Sequence, residues 1–467
     1  MADASVARQL ARFVCDLRLE TIPSAVADRA ALLALDTLGS VLASSTMDFG
    51  RSILATAVRL GGPPQSTLVG TPGKVGEASA VLAGGTLAHG LDFDDTREDA
   101  IVHTGAVTVP TALAAGEAVA ADGRAVVEAI VAGVEVMCRV GLAVPGRFHA
   151  RHFHPTAVTG TFAAAAVAGK LHGLGESELV HAFGICGSQS AGIIEYLADG
   201  SWTKRLHPGW ASHAGVVATM LAQSGFTGPE TVFEGEHGFF SALAGGHNQA
   251  RMNALLATLG TTWELQALTF KPYPCGSIAH PYMDCALRLR EEHRLKPGAI
   301  AEVRCRTAAG PVPRLWEPLS AKHRPPNGYA AKFSLPYLLA VILIKGRAGL
   351  AEFSDEAVRD PAVLDVAGRV QYDVDATIDY PRQFVGDVTV RLTDGRVLHA
   401  HQDHPRGGAD SPLTGDELEA KFRGNAGLAL PEAAIDPLID CVRQLAKAPD
   451  LGAIVQGLRS AAKGDVP

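Results

Sequence analysis

Positive charge is scarce in this chain. Its formal net charge is −8, which argues against a general attraction to nucleic acid or anionic membranes, because phosphate binding needs a basic surface. Cysteine pairing is also missing: Cys15, Cys138, Cys186, Cys275, Cys285, Cys305 and Cys441 are scattered, odd in number and show no CxxC or other zinc spacing. Reduced, mostly buried thiols are the expectation. Long hydrophobic runs are absent too. The longest apolar stretches, 105–122 and 157–169, are dominated by Ala, Gly and Thr and suit buried helices better than membrane spans. The first twenty residues alternate charged and apolar positions without an apolar h-region or cleavage site, so a cytoplasmic location is expected. No GxGxxG, GxxxxGK[ST], GxSxG or HExxH stands in a credible context, which removes the usual support for nucleotide-binding, serine-hydrolase and metalloprotease chemistry.

What is present is a large apolar core. With 467 residues and 47% hydrophobic content, the chain exceeds the size at which one core stops growing. Abundant Ala and Gly point to tightly packed helices. Helical periodicity runs through 25–45, 77–91, 107–121, 124–142, 157–171 and 212–224, with 68–70 as a possible short strand. After Phe270 the texture changes. Segments 301–307 and 386–392 carry β-branched alternation, Thr393–Asp394–Gly395–Arg396 is a hairpin signal, and helices are expected at 277–293 and 334–345. Beyond the Pro/Gly-rich segment 404–412, helices are expected at 415–422, 432–446 and 450–462. The predicted fold is therefore mainly α: a helical domain (1–268), a smaller α+β domain (269–405), and C-terminal helices (406–467) returning to the first domain.

Polar residues concentrate in three places. His89-Gly-Leu-Asp92-Phe-Asp94-Asp95-Thr96, followed by His103, closes an almost wholly apolar helix. If that helix continues, Asp92 and Thr96 share a face at i, i+4, with Asp95 beside them at i+3. A carboxylate can orient an imidazole, and an imidazole titrating near neutrality suits proton removal from carbon, so His103 is the candidate base. The plainer reading is an acidic run that caps and solvates a helix end. The second place is Trp202-Thr-Lys204-Arg205-Leu-His207-Pro-Gly209, read as a Gly/Pro-bounded loop between helices. Its two cations and imidazole could bind a carboxylate, or could simply be solvated. The third is Phe270-Lys271-Pro-Tyr273-Pro-Cys275-Gly-Ser-Ile-Ala-His280, where prolines stiffen the backbone around Lys271. Cys275 lacks an evident Cys/His/Asn arrangement and reads as an inert thiol. His149, His152 and His154 form a string that matches no familiar metal spacing, so no metal site is expected.

Taken together, LDFDDT with His103, FHPTAVTGTFAAAAVAGKL (153–171), SWTKRLHPG (201–209), FKPYPCG (270–276) and KFSLPY (332–337) resemble the MmgE/PrpD family over nearly the whole chain. The family includes 2-methylcitrate dehydratase, cis-aconitate decarboxylase and iminodisuccinate epimerase. The resemblance implies a helical domain with an α+β lid, a homodimer, no cofactor and a small polycarboxylate substrate. It places active-site roles on Asp92, Thr96, His103, Lys204, Lys271 and Tyr337; Arg205, His207, Tyr273 and His280, in or near the same motifs, are read as further substrate contacts. His103, oriented by Asp92, would move the proton while the lysines hold carboxylates. Dehydration is the first expectation and epimerisation the second. This chain departs from relatives at Thr104, where many have proline, and at Gly276, where the decarboxylase has histidine, so decarboxylation is the least favoured outcome.

Overall fold

The computed structural model describes residues 5–380 and 383–459. The chain forms two compact units: one comprises the chain up to Leu268 and from Thr414 onward, the other Thr269–Leu413. It is mainly α, with the strands of its one larger sheet confined to the second unit.

The longer helices of the first unit are α1 (Val6–Asp16), α2 (Ser24–Ser45), α3 (Asp48–Leu60), α4 (Glu77–His89), α5 (Gly105–Ala118), α6 (Gly123–Leu142), α7 (Pro155–Leu171), α8 (Glu176–Gln189) and α9 (Thr203–Gln223). Small side chains explain how closely they pack. A Cβ on Gly85 of α4 would meet Gly209 Cα of α9 at 2.8 Å, and one on Gly209 would meet the Leu82 carbonyl at 2.2 Å. Only glycine allows the two backbones to approach in this way. Nearly every residue of α4 and α7 is buried, as expected of helices that are apolar all round.

That packing corrects one expectation. The segment 201–209 is not a loop, because α9 begins at Thr203 and runs through Pro208. Proline inside a helix costs roughly 3 kcal/mol. Here the buried face containing His207, Gly209, Ala211 and Ser212 offsets that cost through contacts no local pattern reveals. The expected strand at 68–70 is also displaced: β1 (Ser66–Thr67) pairs with β2 (Lys74–Val75), and Gly70 turns between them at φ +80°. No single helix among the described residues is long and apolar enough to cross a membrane; α2 and α3 meet both conditions only together, across a 93° bend.

In the second unit, β3 (Ile300–Thr307), β4 (Val370–Val374), β5 (Gly386–Leu392) and β6 (Val397–Gln402) form a sheet ordered β4-β3-β5-β6. The β3–β4 pair is parallel and the others antiparallel. Gly395 at φ +89° turns β5 into β6. Helices α10 (His280–Glu292) and α11 (Leu335–Lys345) contribute to its core around Trp316, Val303 and Val390. The unit extends to Leu413, so 406–413 does not belong with the C-terminal helices as the sequence suggested. The Phe270 N–H donates to the Gly407 carbonyl at 3.0 Å, and Gly407, at φ +98°, sits where a Cβ would meet the Phe270 carbonyl at 1.9 Å. After that, α12 (Gly415–Ala426), capped by Thr414 and Glu417, and α13 (Ile435–Arg443) belong to the first unit. The last expected helix, 450–462, is observed as Gly452–Arg459, and its final residues lie outside the described ones.

Candidate active site

Helix α4 stops at His89, and the acidic run that follows is loop, not helix face: Asp92 has φ +57°. Asp92, Asp94 and Asp95 consequently point to different tasks. Asp95 caps α5, its Oδ2 accepting the Thr104 N–H (3.0 Å) and hydroxyl (2.7 Å) and its Oδ1 accepting the Gly105 N–H (2.7 Å). Burial and the neighbouring Asp94 carboxylate push Asp95 up to about 7, against the pull of those donors. Asp94 Oδ2 lies 2.6 Å from His89 Nδ1 and 3.8 Å from His103 Nδ1. Asp92 Oδ1 pairs with Lys204 Nζ at 2.9 Å, with both side chains buried. Asp92 is therefore a partner of the lysine, and His103 Nδ1 faces Asp94 and a backbone carbonyl.

The environment of His103 fixes its chemistry. Its Nδ1 lies 2.7 Å from the Asp95 carbonyl oxygen and 3.2 Å from Thr96 Oγ1. A carbonyl can only accept, so Nδ1 carries the hydrogen and, in the neutral ring, Nε2 holds the lone pair. The His103 N–H donates to Thr156 Oγ1 of α7 at 3.1 Å. The same logic places the hydrogen of His89 on Nδ1, facing Asp94. His154, just before α7, has its Nδ1 3.1 Å from His207 Nδ1 on α9. Burial, with His89, His207 and Lys204 nearby, drives His154 well below the ordinary imidazole range. Burial and the nearby His89 and Lys204 also lower His207, to about 4. Both rings are neutral at physiological pH.

The loop itself is pinned from α12. Lys421 Nζ donates to the Phe93 carbonyl at 2.7 Å, lies 2.6 Å from Asp36 Oδ1 and sits 3.9 Å from the centre of the Phe93 ring. A cation bonded on several sides holds a strained segment such as Asp92 in place.

Of the residues singled out from the sequence, Asp92, Thr96, His103, Lys204 and His207 fall within this cluster in the first unit. The Arg205 guanidinium lies over the Phe49 ring at 4.2 Å. The others belong to the second unit. Lys271 is buried there. Tyr273 donates to Asp284 at 2.8 Å and meets His280 edge-on, while His280 Nε2 lies 3.3 Å from the Cys275 carbonyl. Tyr337 is fully buried and donates to the Glu352 carbonyl at 2.7 Å. Its hydroxyl is engaged in the core and burial raises its ionisation. Cys275 is buried against Met283, and none of the seven cysteines, all among the described residues, is in a disulfide.

The sequence reading missed His89, Asp94 and His154 as site members. His89 and Asp94 stood inside the acidic motif, five positions apart, and only the end of α4 shows that they meet. His154 was grouped with His149 and His152, yet what matters is its meeting with His89 and His103. No metal site was expected, and the fold nevertheless gathers His89, His103 and His154 so that one ring nitrogen of each lies within 4.8 Å of the others.

Comparison with known proteins agrees with the two-unit plan. The MmgE/PrpD N-terminal domain matches residues 8–252 and the MmgE/PrpD C-terminal domain matches 273–446. The chain belongs to the MmgE/PrpD family and is a lyase of that family. The cis-aconitate decarboxylase of Aspergillus terreus is 24% identical over 482 aligned residues, covering 99% of this chain and 97% of that protein. The cis-aconitate decarboxylases of Homo sapiens and Mus musculus are 25% and 26% identical, covering 99% and 97% of this chain and 96% and 93% of their own lengths.

Proposed function

We propose that this protein is a cofactor-independent lyase that transfers a proton at the carbon next to a carboxylate of a small di- or tricarboxylic acid. The observation that carries the reading is the buried His103 ring, whose Nδ1 is held by the Asp95 carbonyl so that Nε2 is the basic nitrogen. A hydrogen on such a carbon is weakly acidic, so a base alone is insufficient; the charge moving onto the carboxylate oxygens must be met by fixed donors. Lys204 is the cation beside that base, and a substrate carboxylate would share it with Asp92. Thr96, next to His103 Nδ1, steadies the ring.

Three outcomes share this proton transfer. In dehydration, the order that the sequence motifs suggest, His103 takes the α-proton and the β-hydroxyl leaves as water after protonation. In decarboxylation, favoured by the full-length likeness to cis-aconitate decarboxylases, the carbon–carbon bond breaks, CO2 departs and the resulting carbanion takes a proton from the imidazolium. Epimerisation returns the proton to the opposite face. A homodimer is part of the same proposal, supported by the exposed side chains of Trp202, Leu206 and Trp210 along α9; sedimentation equilibrium showing a monomer at micromolar concentration would count against it.

Proton NMR in D2O with citrate, 2-methylcitrate, cis-aconitate and N-substituted aspartates tests the reading. New vinyl signals without gas release mean dehydration, CO2 release with deuterium in the product means decarboxylation, and exchange without net loss means epimerisation. If no acid in the panel exchanges or reacts, the proposal is wrong.

A further inference from the structure

The histidine cluster has a capacity that proton transfer does not use. In His89, His103 and His154 the outer nitrogen is already engaged: His89 Nδ1 by the Asp94 carboxylate at 2.6 Å, His103 Nδ1 by the Asp95 carbonyl at 2.7 Å, and His154 Nδ1 by His207 Nδ1 at 3.1 Å. In His89 and His103 the hydrogen on Nδ1 makes Nε2 the nitrogen that can bind a metal. His89 Nε2 is buried and has no hydrogen-bond partner among the described residues. A carboxylate or carbonyl behind the outer nitrogen is the arrangement that surrounds metal-binding histidines, because it fixes the tautomer, orients the ring and raises the basicity of the inner nitrogen. One ring nitrogen of each of the three residues lies within 4.8 Å of the others, and all three residues are buried. Ligands of a tetrahedral zinc ion stand about 3.3 Å apart, given nitrogen bonds of 2.0–2.1 Å, so the rings must turn inward to close the set.

We propose that His89, His103 and His154 form a binding site for a divalent transition metal ion of the zinc or cobalt type, and that occupancy switches off proton transfer. Three imidazole nitrogens with an open fourth position suit such an ion in both hardness and geometry. Asp92 and Asp94, against the single charge of Lys204, make the surroundings able to accept a dication. Inhibition follows from electron-pair accounting: the Nε2 lone pair of His103 that would accept the substrate proton is donated to the metal instead. The inhibitory half rests on the functional reading above, whereas the binding half does not.

The test uses the full-length protein freed of metal by chelation, with Co2+ and Zn2+ as probes. Calorimetry is expected to show one saturable site per chain, and Co2+ to give ligand-field absorption without a thiolate charge-transfer band. Asp94→Asn, which keeps the ring but weakens its support, is expected to lower affinity about 10–100-fold, and His89→Ala to lower it further. Circular dichroism confirms that each variant is folded, and His237→Ala, at an exposed histidine outside the cluster, should bind like the parent chain. Absence of saturable binding, or equal affinity in the parent, Asp94→Asn and His89→Ala proteins, overturns the site. Saturable binding with unchanged turnover on an accepted substrate overturns the inhibitory half alone. Binding to a chain that turns over no acid sinks the functional reading and leaves the site standing.

Discussion

Two ion pairs of equal length show how differently this protein uses charge. In the first unit Lys204 Nζ stands 2.9 Å from Asp92 Oδ1, with side chains 9% and 4% exposed. In the second, Arg304 Nη1 stands 2.9 Å from Asp373 Oδ1 across neighbouring strands, with side chains 47% and 58% exposed. Distance alone would rank them together. Water separates them: the exposed pair is screened and worth about 0–1 kcal/mol, while each partner of the buried pair depends on the other to balance a large desolvation cost. Buried charge in the first unit surrounds a candidate base; exposed charge on the sheet has no comparable task.

Substitutions can break or sharpen this contrast. The largest effect is expected from His103→Gln, which removes the basic nitrogen: turnover should fall by about 10²–10⁴ with little change in melting temperature, measured by steady-state kinetics and calorimetry on one preparation. An active His103→Gln enzyme would move the base elsewhere. Lys204→Met comes next, because it removes the lysine partner of the buried Asp92 carboxylate. Denaturant unfolding should show a loss of about 3–5 kcal/mol, and the double change with Asp92→Asn, which removes the charge and tolerates the left-handed backbone, should restore much of that stability without restoring turnover. If the single and double variants were equally unstable, the pair would not be coupled. Asp95→Ala removes the acceptor of the Thr104 and Gly105 donors, and should cost about 2 kcal/mol; it should also lower turnover, since the Asp95 carbonyl positions His103. Smallest is Arg304→Ala, expected to stay within about 0.5 kcal/mol of the parent chain. A larger loss there would erase the difference between the two regions.

Much of the fold was legible. Apolar runs such as those of α4 and α7, flanked by glycine or proline, read as buried helices because period and composition are local properties. β-Branched alternation in β3 and β5, with Asp394–Gly395 after β5, read as strands and hairpin for the same reason. The failures were non-local. Pro208 looked like a loop because nothing nearby announces the packing of Gly209 on α4. The end of α4 was placed too late, so Asp92 and Thr96 were read on one helix face when the positive φ of Asp92 breaks that face. Tyr337 looked catalytic by motif, and only the core shows its hydroxyl bonded to the Glu352 carbonyl.

The candidate site divides in the same way. Sequence alone determined which chemistry was available: histidines, carboxylates and lysines in short motifs, set among Ala- and Gly-rich helices and resembling one family of carboxylate-transforming enzymes. Tertiary structure decided who meets whom. Asp92 faces Lys204, Asp94 faces His89, the Asp95 carbonyl holds His103, and His154 arrives from another helix, because hydrogen bonds and ion pairs are short-ranged in space and indifferent to separation along the chain. Which nitrogen of His103 is basic follows from one carbonyl oxygen at 2.7 Å, a fact of folding that no spacing of letters contains.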